Sequence, residues 1–203
     1  MDDLERWGIV LDADPRLPSW PSLIVERPLR GSWWADPEVH LINDVGTRFV
    51  HHRDVLHTVL VSGKLTCLHR RLWPAFAAVA LGSEAWKLEG LPEGARRILE
   101  MMPEGHPLQA DDEGLPSSSV KENGRLMRLL EARLLCAGGN VHTPRGAHVK
   151  FVARWSAAHR EWGITTPEPS ASEGRRHLDE CLKRLNAEFG GRGTLPWWRS
   201  IRS

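Results

Sequence analysis

Several histidines lie close together around residue 50, where they could bind a metal ion. The stretch HHRDVLH places His51, His52 and His57 around Asp54, with His40 and His69 nearby. Zinc requires three or four nitrogen, sulfur or oxygen ligands in a tetrahedron. His57 and His69 could face one another on adjacent strands, but the spacing matches no zinc signature. We therefore expect surface or hairpin histidines, with no metal and no cofactor. A metal-dependent hydrolase built on His51, His57 and His69 is the less favoured alternative.

Two adjacent arginines, Arg70 and Arg71, lie between His69 and Trp73 at a predicted junction of a strand and a helix. Planar guanidinium groups bind phosphate or carboxylate through parallel hydrogen bonds, and the following helix N-terminus adds positive potential. Alternatively, one of the arginines forms an internal ion pair with a carboxylate, namely Asp36, Glu38 or Asp54. The sequence favours neither interpretation.

The adjacent tryptophans Trp33 and Trp34 lie in LRGSWWADPEVH. Adjacent residues of an extended chain cannot both point inward, so one ring is predicted to pack against the following helix and the other to be partly exposed. An exposed ring could stack on a nucleobase. Burial against Trp73 or Trp86 is the favoured interpretation, because indole burial is strongly stabilising. Together with His69, Arg70, Arg71 and Trp73, the pair forms a candidate anion or stacking site.

A basic helix followed by a β-hairpin occupies residues 117–163. Such a pair is typical of a winged helix, in which a recognition helix enters a DNA groove and the wing contacts the adjacent backbone. A plain helix packed on a hairpin would give the same pattern. The side chains expected near phosphate are Arg125, Arg128, Arg133, Arg145, His148 and Lys150.

The elements that position these residues follow from hydrophobic spacing and from capping residues. Asp36-Pro37 begins a predicted helix to about Val50. Two β-rich runs flank Ser62-Gly63 and predict a hairpin with a tight turn. Further helices are predicted in RLWPAFAAVALG, from Pro92 to about Met102, from Ser118 or Ser119 through Leu134, over residues 152–162 and in RRHLDECLKRLNAEF.

These elements predict an α+β fold that is mostly helical and contains two β-hairpins. We expect an N-terminal arm over residues 1–30 and a helix, hairpin and helix subdomain over residues 31–105. The polar stretch MPEGHPLQADDEGLPSSS then forms a linker to the wing-like subdomain of residues 117–163. Residues 171–203 supply a C-terminal helix and a tail that packs on the body through Trp197 and Trp198.

Charge is distributed unevenly along the 203 residues, although the formal net charge is only +1. Residues 1–120 hold 12 Lys and Arg against 18 Asp and Glu, whereas residues 121–203 hold 15 against 8. The split favours an anionic partner for the C-terminal part. No apolar run approaches the roughly 18 residues of a membrane span, and the acidic N-terminus lacks signal-peptide order. We therefore predict a cytoplasmic protein that does not bind a membrane, with three buried free cysteines.

Five stretches together resemble a known family: LRGSWW, LVSGKLTCLHRRLWPAFAAV, LEARLL, VHTPRGAHVK and LNAEFGGRGTLPWW. The family comprises small bacterial AlkZ-related proteins, which are remote relatives of the AlkZ-type winged-helix DNA glycosylases. The resemblance covers roughly residues 28–198 and implies a winged-helix-like fold and binding to duplex or damaged DNA, in a repair or regulatory setting.

The same resemblance implies a test for catalysis. The glycosylases use a Gln-x-Gln or Gln-x-Asp motif to position the attacking water, and here only Gln109-Ala110-Asp111 matches the letters. That match lies in the polar linker and has alanine where a bulky apolar residue is usual. We therefore expect a DNA-binding relative with no catalytic residues; if the chain is an enzyme, it is a glycosylase-like hydrolase. A non-enzymatic protein-interaction module is the main alternative.

Overall fold

The computed structural model describes residues 1–29, 31–142, 148–156 and 169–198. The described α-helices include α1 (Asp2–Trp7), α2 (Trp20–Ile24), α3 (Val39–Val50), α4 (Trp73–Leu81), α5 (Glu93–Met101), α6 (Val120–Ala132) and α7 (Ala171–Phe189). The strands are β1 (Ile9–Leu11), β2 (Val55–Val59), β3 (Leu65–His69), β4 (Leu108–Gln109), β5 (Ala137–His142) and β6 (His148–Ala153). They form two antiparallel three-stranded sheets, ordered β1-β3-β2 and β4-β6-β5. The predicted α+β class and both hairpins are confirmed.

The chain divides into two compact units. The terminal unit comprises Met1–Phe76 and Pro169–Ser203, and the central unit comprises Ala77–Glu168. The first sheet belongs to the terminal unit and the second sheet to the central unit. The polar stretch predicted as a linker lies within the central unit, because its strand β4 pairs with β6.

The first 29 residues, predicted as an arm, contain two short helices and a strand that belong to the terminal unit. Strand β1 extends the first sheet, with Val10 opposite Cys67 of β3. In helix α1, the Trp7 ring packs edge-on against Phe189 of α7, with 5.1 Å between ring centroids. Helix α7 in turn buries Leu178, Leu182 and Leu185. The N-terminal residues are thus part of the terminal unit's core.

The predicted hairpin of the terminal unit is formed by β2 and β3, with a five-residue connection between them. The connection bends at Ser62, whose φ of 55° is left-handed. In this register His57 lies opposite Cys67, and His69 lies opposite Val55. His57 and His69 are therefore not directly opposite one another, although strand alternation places both on the same face of the hairpin.

The C-terminal segment packs within the terminal unit. Helix α7 begins with a capping box, in which Ser170 and Glu173 satisfy each other's backbone N–H groups. The indole N–H groups of Trp197 and Trp198 both donate to Asp179 Oδ1 of α7, at 2.9 and 2.6 Å. The adjacent Trp pair thus holds the tail on α7.

The central unit has its own hydrophobic core. It is built from α5, α6 and the second sheet, and its buried residues are Leu91, Ala95, Ile98, Met102, Ala110, Leu126, Met127, Leu130, Cys136, Val149 and Val152. Of the two residues predicted to cap α6, Ser118 and Ser119, the N-cap is Ser119, whose side chain accepts a hydrogen bond from the Glu122 N–H. The predicted helix over residues 152–162 lies mostly outside the described residues, and Val152 and Ala153 belong to β6.

Candidate nucleic-acid interface

Helix α6 has one buried face and one exposed basic face. Leu126, Met127 and Leu130 point into the core of the central unit. Lys121, Arg125 and Arg128 are exposed, and their spacing of four and three residues places them on one side of the helix. We call these three residues the α6 stripe. Sequence reasoning found the two arginines but missed Lys121, although its helical spacing to Arg125 could have revealed it.

Arg125 of the α6 stripe forms an exposed ion pair. Its guanidinium donates to both carboxylate oxygens of Glu122, at 2.7 and 2.9 Å. These hydrogen bonds lower the pKa of Glu122 below its ordinary value. The pair offsets one positive charge of the stripe, whereas Lys121 and Arg128 remain exposed cations.

Two of the predicted phosphate contacts have internal partners instead. The Arg133 guanidinium donates to the backbone carbonyl of Trp86 at 2.5 Å. The Lys150 ammonium is buried and forms an ion pair with Glu131. The structure therefore gives both predicted contact residues roles within the fold, Lys150 as a buried partner of Glu131 and Arg133 as a half-buried donor to a backbone carbonyl.

The Lys150–Glu131 pair connects α6 to β6 inside the central unit. Both side chains are almost fully buried, with 8% and 3% of their surfaces exposed. Burial raises the pKa of Glu131, and the nearby Lys150 charge opposes this rise. On β5, a Cβ at Gly138 would lie 2.7 Å from the Glu131 carboxyl group, so only glycine admits this carboxylate. Strand β5 therefore accommodates the ion pair because residue 138 has no side chain.

The remaining predicted contacts belong to the β5–β6 hairpin. His148 is exposed and begins β6. Arg145 lies outside the described residues. The structure therefore places one of the two hairpin candidates.

A turn-rich loop, residues 110–119, joins β4 to α6 and is held by one buried side chain. The Asn123 amide of α6 donates to the carbonyls of Ala110 and Ser117, at 3.1 and 2.9 Å. Its oxygen accepts a hydrogen bond from the Ser117 N–H at 3.2 Å. These bonds fix the approach of the loop to the beginning of α6.

Trp33 and Trp34 divide into a core residue and a surface residue, as predicted. Trp33 is buried, whereas 66% of Trp34 is exposed. Their rings stack with 3.8 Å between centroids. On the core side Trp33 packs against Trp20, whose ring meets it at 5.4 Å in a T-shaped arrangement. The predicted partner Trp73 is not among the described ring contacts of Trp33, and Trp86 belongs to the central unit. Nothing among the described contacts brings Trp34 to the arginine pair.

The arginine pair forms internal contacts. Arg70 pairs with Asp54 at 3.2 Å, in agreement with the internal alternative. Arg71 donates to the carbonyls of Glu5 and Arg6 at the end of α1, at 2.9 and 3.1 Å.

The two flanking residues also have internal partners. His69 accepts a hydrogen bond from the Arg71 N–H through its ring Nδ1. Trp73 donates to the Leu68 carbonyl. These contacts give the junction a structural role, because at least one side-chain donor of each of Arg70, Arg71 and Trp73 is used within the fold.

The histidine-rich stretch does not assemble into a metal centre among the described residues. In that part of the chain, no three His, Cys, Asp or Glu side chains are placed to bind one ion together. His57 is largely buried, which lowers its pKa. The hydrolase alternative therefore has no ligand set in the described structure. The three cysteines are buried and free, as predicted.

The comparisons with known proteins found no matching family model, no matching curated protein and no matching solved structure. Among the described helices, none combines the length and apolar character needed to cross a membrane.

Proposed function

We propose that the protein is a cytoplasmic DNA-binding protein whose central unit acts as a winged-helix-like module. Helix α6 is the recognition helix, and the β5–β6 hairpin is the wing. The observation that carries the proposal is the exposed α6 stripe on the helix directly before the hairpin. The sequence resemblance to the AlkZ-related family points to the same function.

The order of elements in the central unit supports this assignment. Helix α5 precedes β4, and α6 precedes the β5–β6 hairpin. The sheet order β4-β6-β5 places the strand before the recognition helix against the last strand of the wing, as in winged helices. The chain departs from the usual pattern between β4 and α6, where the loop fixed by Asn123 replaces a helix.

The size and charge of the α6 stripe also fit a DNA groove. Lys121 and Arg128 are seven residues apart, which corresponds to about 10 Å along an α-helix. The major groove of B-DNA is about 12 Å wide and admits an α-helix. Cations on this face would reach backbone phosphates on either side of the groove, and such contacts supply most of the sequence-independent affinity.

We propose binding without base excision. Gln109 and Asp111, the only match to the glycosylase motif, flank the buried Ala110. The Gln109 backbone pairs with Phe151 of β6, and its N–H donates to Asp112. This segment therefore serves the sheet and its turn.

The proposal is tested with the purified protein and labelled duplex, single-stranded and abasic DNA of equal length, by fluorescence anisotropy. A recognition helix that enters a groove should favour duplex over single-stranded DNA. Preference for abasic duplex would indicate a role in repair. No binding to any of the three at 50 mM salt would contradict DNA binding, and the protein-interaction alternative would then be preferred.

Removal of the Glu122 carboxylate should strengthen DNA binding. A Glu122→Gln variant eliminates a negative charge beside the DNA-facing side chains and releases Arg125 from its ion pair. One unit charge at contact distance in water is worth about 1 kcal/mol, so we expect a gain in affinity of about fivefold. The matched control is Glu180→Gln, which breaks the exposed Arg176–Glu180 pair of α7 in the terminal unit. Unchanged or weaker binding of Glu122→Gln would show that α6 does not face DNA.

A further inference from the structure

A cavity of about 490 Å³ opens in the terminal unit at the end of β1. Its apolar wall includes Pro15, Leu29, Trp33 and Leu65. Small-molecule sites are typically concave, mostly apolar and about 300–1,000 Å³ in volume, with a few polar groups that fix the ligand. The size and lining of this cavity match that description.

One of the two carboxylates that line the cavity, Asp14, already has hydrogen-bond partners within the protein. Asp14 accepts hydrogen bonds from the N–H groups of Arg16 and Leu17, at 2.9 and 2.8 Å. Its other oxygen accepts from the Lys64 ammonium at 2.8 Å. Asp14 and Lys64 therefore neutralise one another at the edge of the cavity.

The second carboxylate, Asp12, is held in place, and among the described residues only one of its two oxygens accepts a hydrogen bond. Its N–H donates to the Leu65 carbonyl at 3.0 Å, which continues the pairing of β1 with β3. Its Oδ1 accepts from the Trp20 indole N–H at 2.9 Å. Within the described residues Oδ2 accepts no hydrogen bond from the protein. This leaves a positioned acceptor, and one net negative charge on the described lining, beside an apolar wall.

We propose that this cavity binds an organic amine with an apolar body. The ammonium group would donate to Asp12 Oδ2, a charge-assisted hydrogen bond of the stronger kind, and the hydrocarbon part would lie against Leu29, Trp33 and Leu65. This site lies in the terminal unit and uses none of the residues assigned to DNA, so it is a binding function beyond the proposed one.

The test is isothermal titration calorimetry with three probes that share a phenylethyl body and differ in charge. These are 2-phenylethylammonium, the neutral 2-phenylethanol and the anionic 3-phenylpropanoate. We expect the amine to bind about tenfold or more tightly than the alcohol, because only the amine forms the charged hydrogen bond. The anion should not bind measurably. Equal binding of the amine and the alcohol, or no binding of the amine, would overturn the proposal.

Two substitutions with opposite expected signs make the test specific to the cavity. Asp12→Asn keeps an oxygen for the Trp20 N–H but removes the charge, and it should abolish the preference for the amine. Lys64→Gln removes the cation that faces Asp14 and should strengthen amine binding severalfold. The control Asp44→Asn removes an exposed carboxylate on α3 that pairs with Arg48, and it should leave binding unchanged. An Asp12→Asn variant that keeps its circular dichroism spectrum and still prefers the amine would also overturn the proposal.

Discussion

A Glu131→Ala variant is expected to unfold with a free energy lower by about 3–5 kcal/mol, the usual cost of removing one partner of a buried ion pair. The substitution leaves the Lys150 ammonium buried without its counter-charge. It also opens space beside Gly138, where the carboxylate now packs. Urea denaturation followed by circular dichroism measures the difference. A loss below about 1 kcal/mol would show that the pair is not buried as described.

Removal of the other partner of the ion pair, by Lys150→Met, should make the folding stability depend on pH. Burial already raises the pKa of Glu131 above its ordinary 4.5, and removal of Lys150 should raise it further. Between the ordinary pKa of Glu131 in the unfolded chain and its raised pKa in the folded variant, the folded state binds more protons than the unfolded state. The stability of the variant therefore falls as pH rises through this range. The variant should therefore lose more stability relative to wild type at pH 7 than at pH 4.5.

Two further variants separate the ion pair from general effects of substitution. The double variant Glu131→Leu with Lys150→Met should recover much of the lost stability, since apolar replacements of buried pairs are often neutral or stabilising. Glu180→Ala, which breaks the exposed pair with Arg176 on α7, should change stability by less than about 0.5 kcal/mol.

The second large effect concerns DNA affinity. Reversal of the other two charges of the α6 stripe, Lys121→Glu with Arg128→Glu, should weaken duplex binding at 50 mM salt by at least about 100-fold. Each reversal removes an attraction and adds a repulsion of about 1 kcal/mol at contact distance in water. Both side chains are exposed, so the fold should be retained. Fluorescence anisotropy measures the affinity, and circular dichroism checks the fold.

The matched control carries the same change in net charge on the terminal unit. Arg48→Glu with Arg53→Glu alters two exposed arginines, whose side chains are 74% and 87% exposed. If general charge attraction were responsible for binding, both double variants would lose affinity equally. The proposal requires the α6 variant to lose far more.

The sequence predicted the elements with clear spacing or capping signals. Helix α3, helix α5 and the β2–β3 hairpin lie close to their expected bounds, because apolar periodicity and turn residues act locally. The N-cap of α6 could be narrowed in the same way to Ser118 or Ser119, and the structure shows Ser119. The exposed basic side of α6 follows from the same periodicity, which fixes both of its faces.

The remaining features depend on contacts between distant parts of the chain. Strands β1 and β4 span only three and two residues, too few for a hydrophobic period to be recognised. Arg71 binds carbonyls of residues about 65 positions away, and Arg133 binds a carbonyl 47 positions away. The sequence around a basic residue does not show whether a distant backbone carbonyl will bind it. For this reason, side chains that stabilise the fold are predicted from sequence as candidates for anion or phosphate contacts.

The salt dependence of duplex binding tests DNA recognition by the α6 stripe most directly. If the three cations of the stripe contact phosphates, the wild-type affinity should fall about 40-fold between 50 and 200 mM salt, because each contact releases counterions. For the Lys121→Glu, Arg128→Glu variant, the slope of log affinity against log salt concentration should correspond to about one phosphate contact. Affinity that does not change with salt, or an equal slope for wild type and variant, would contradict recognition through α6.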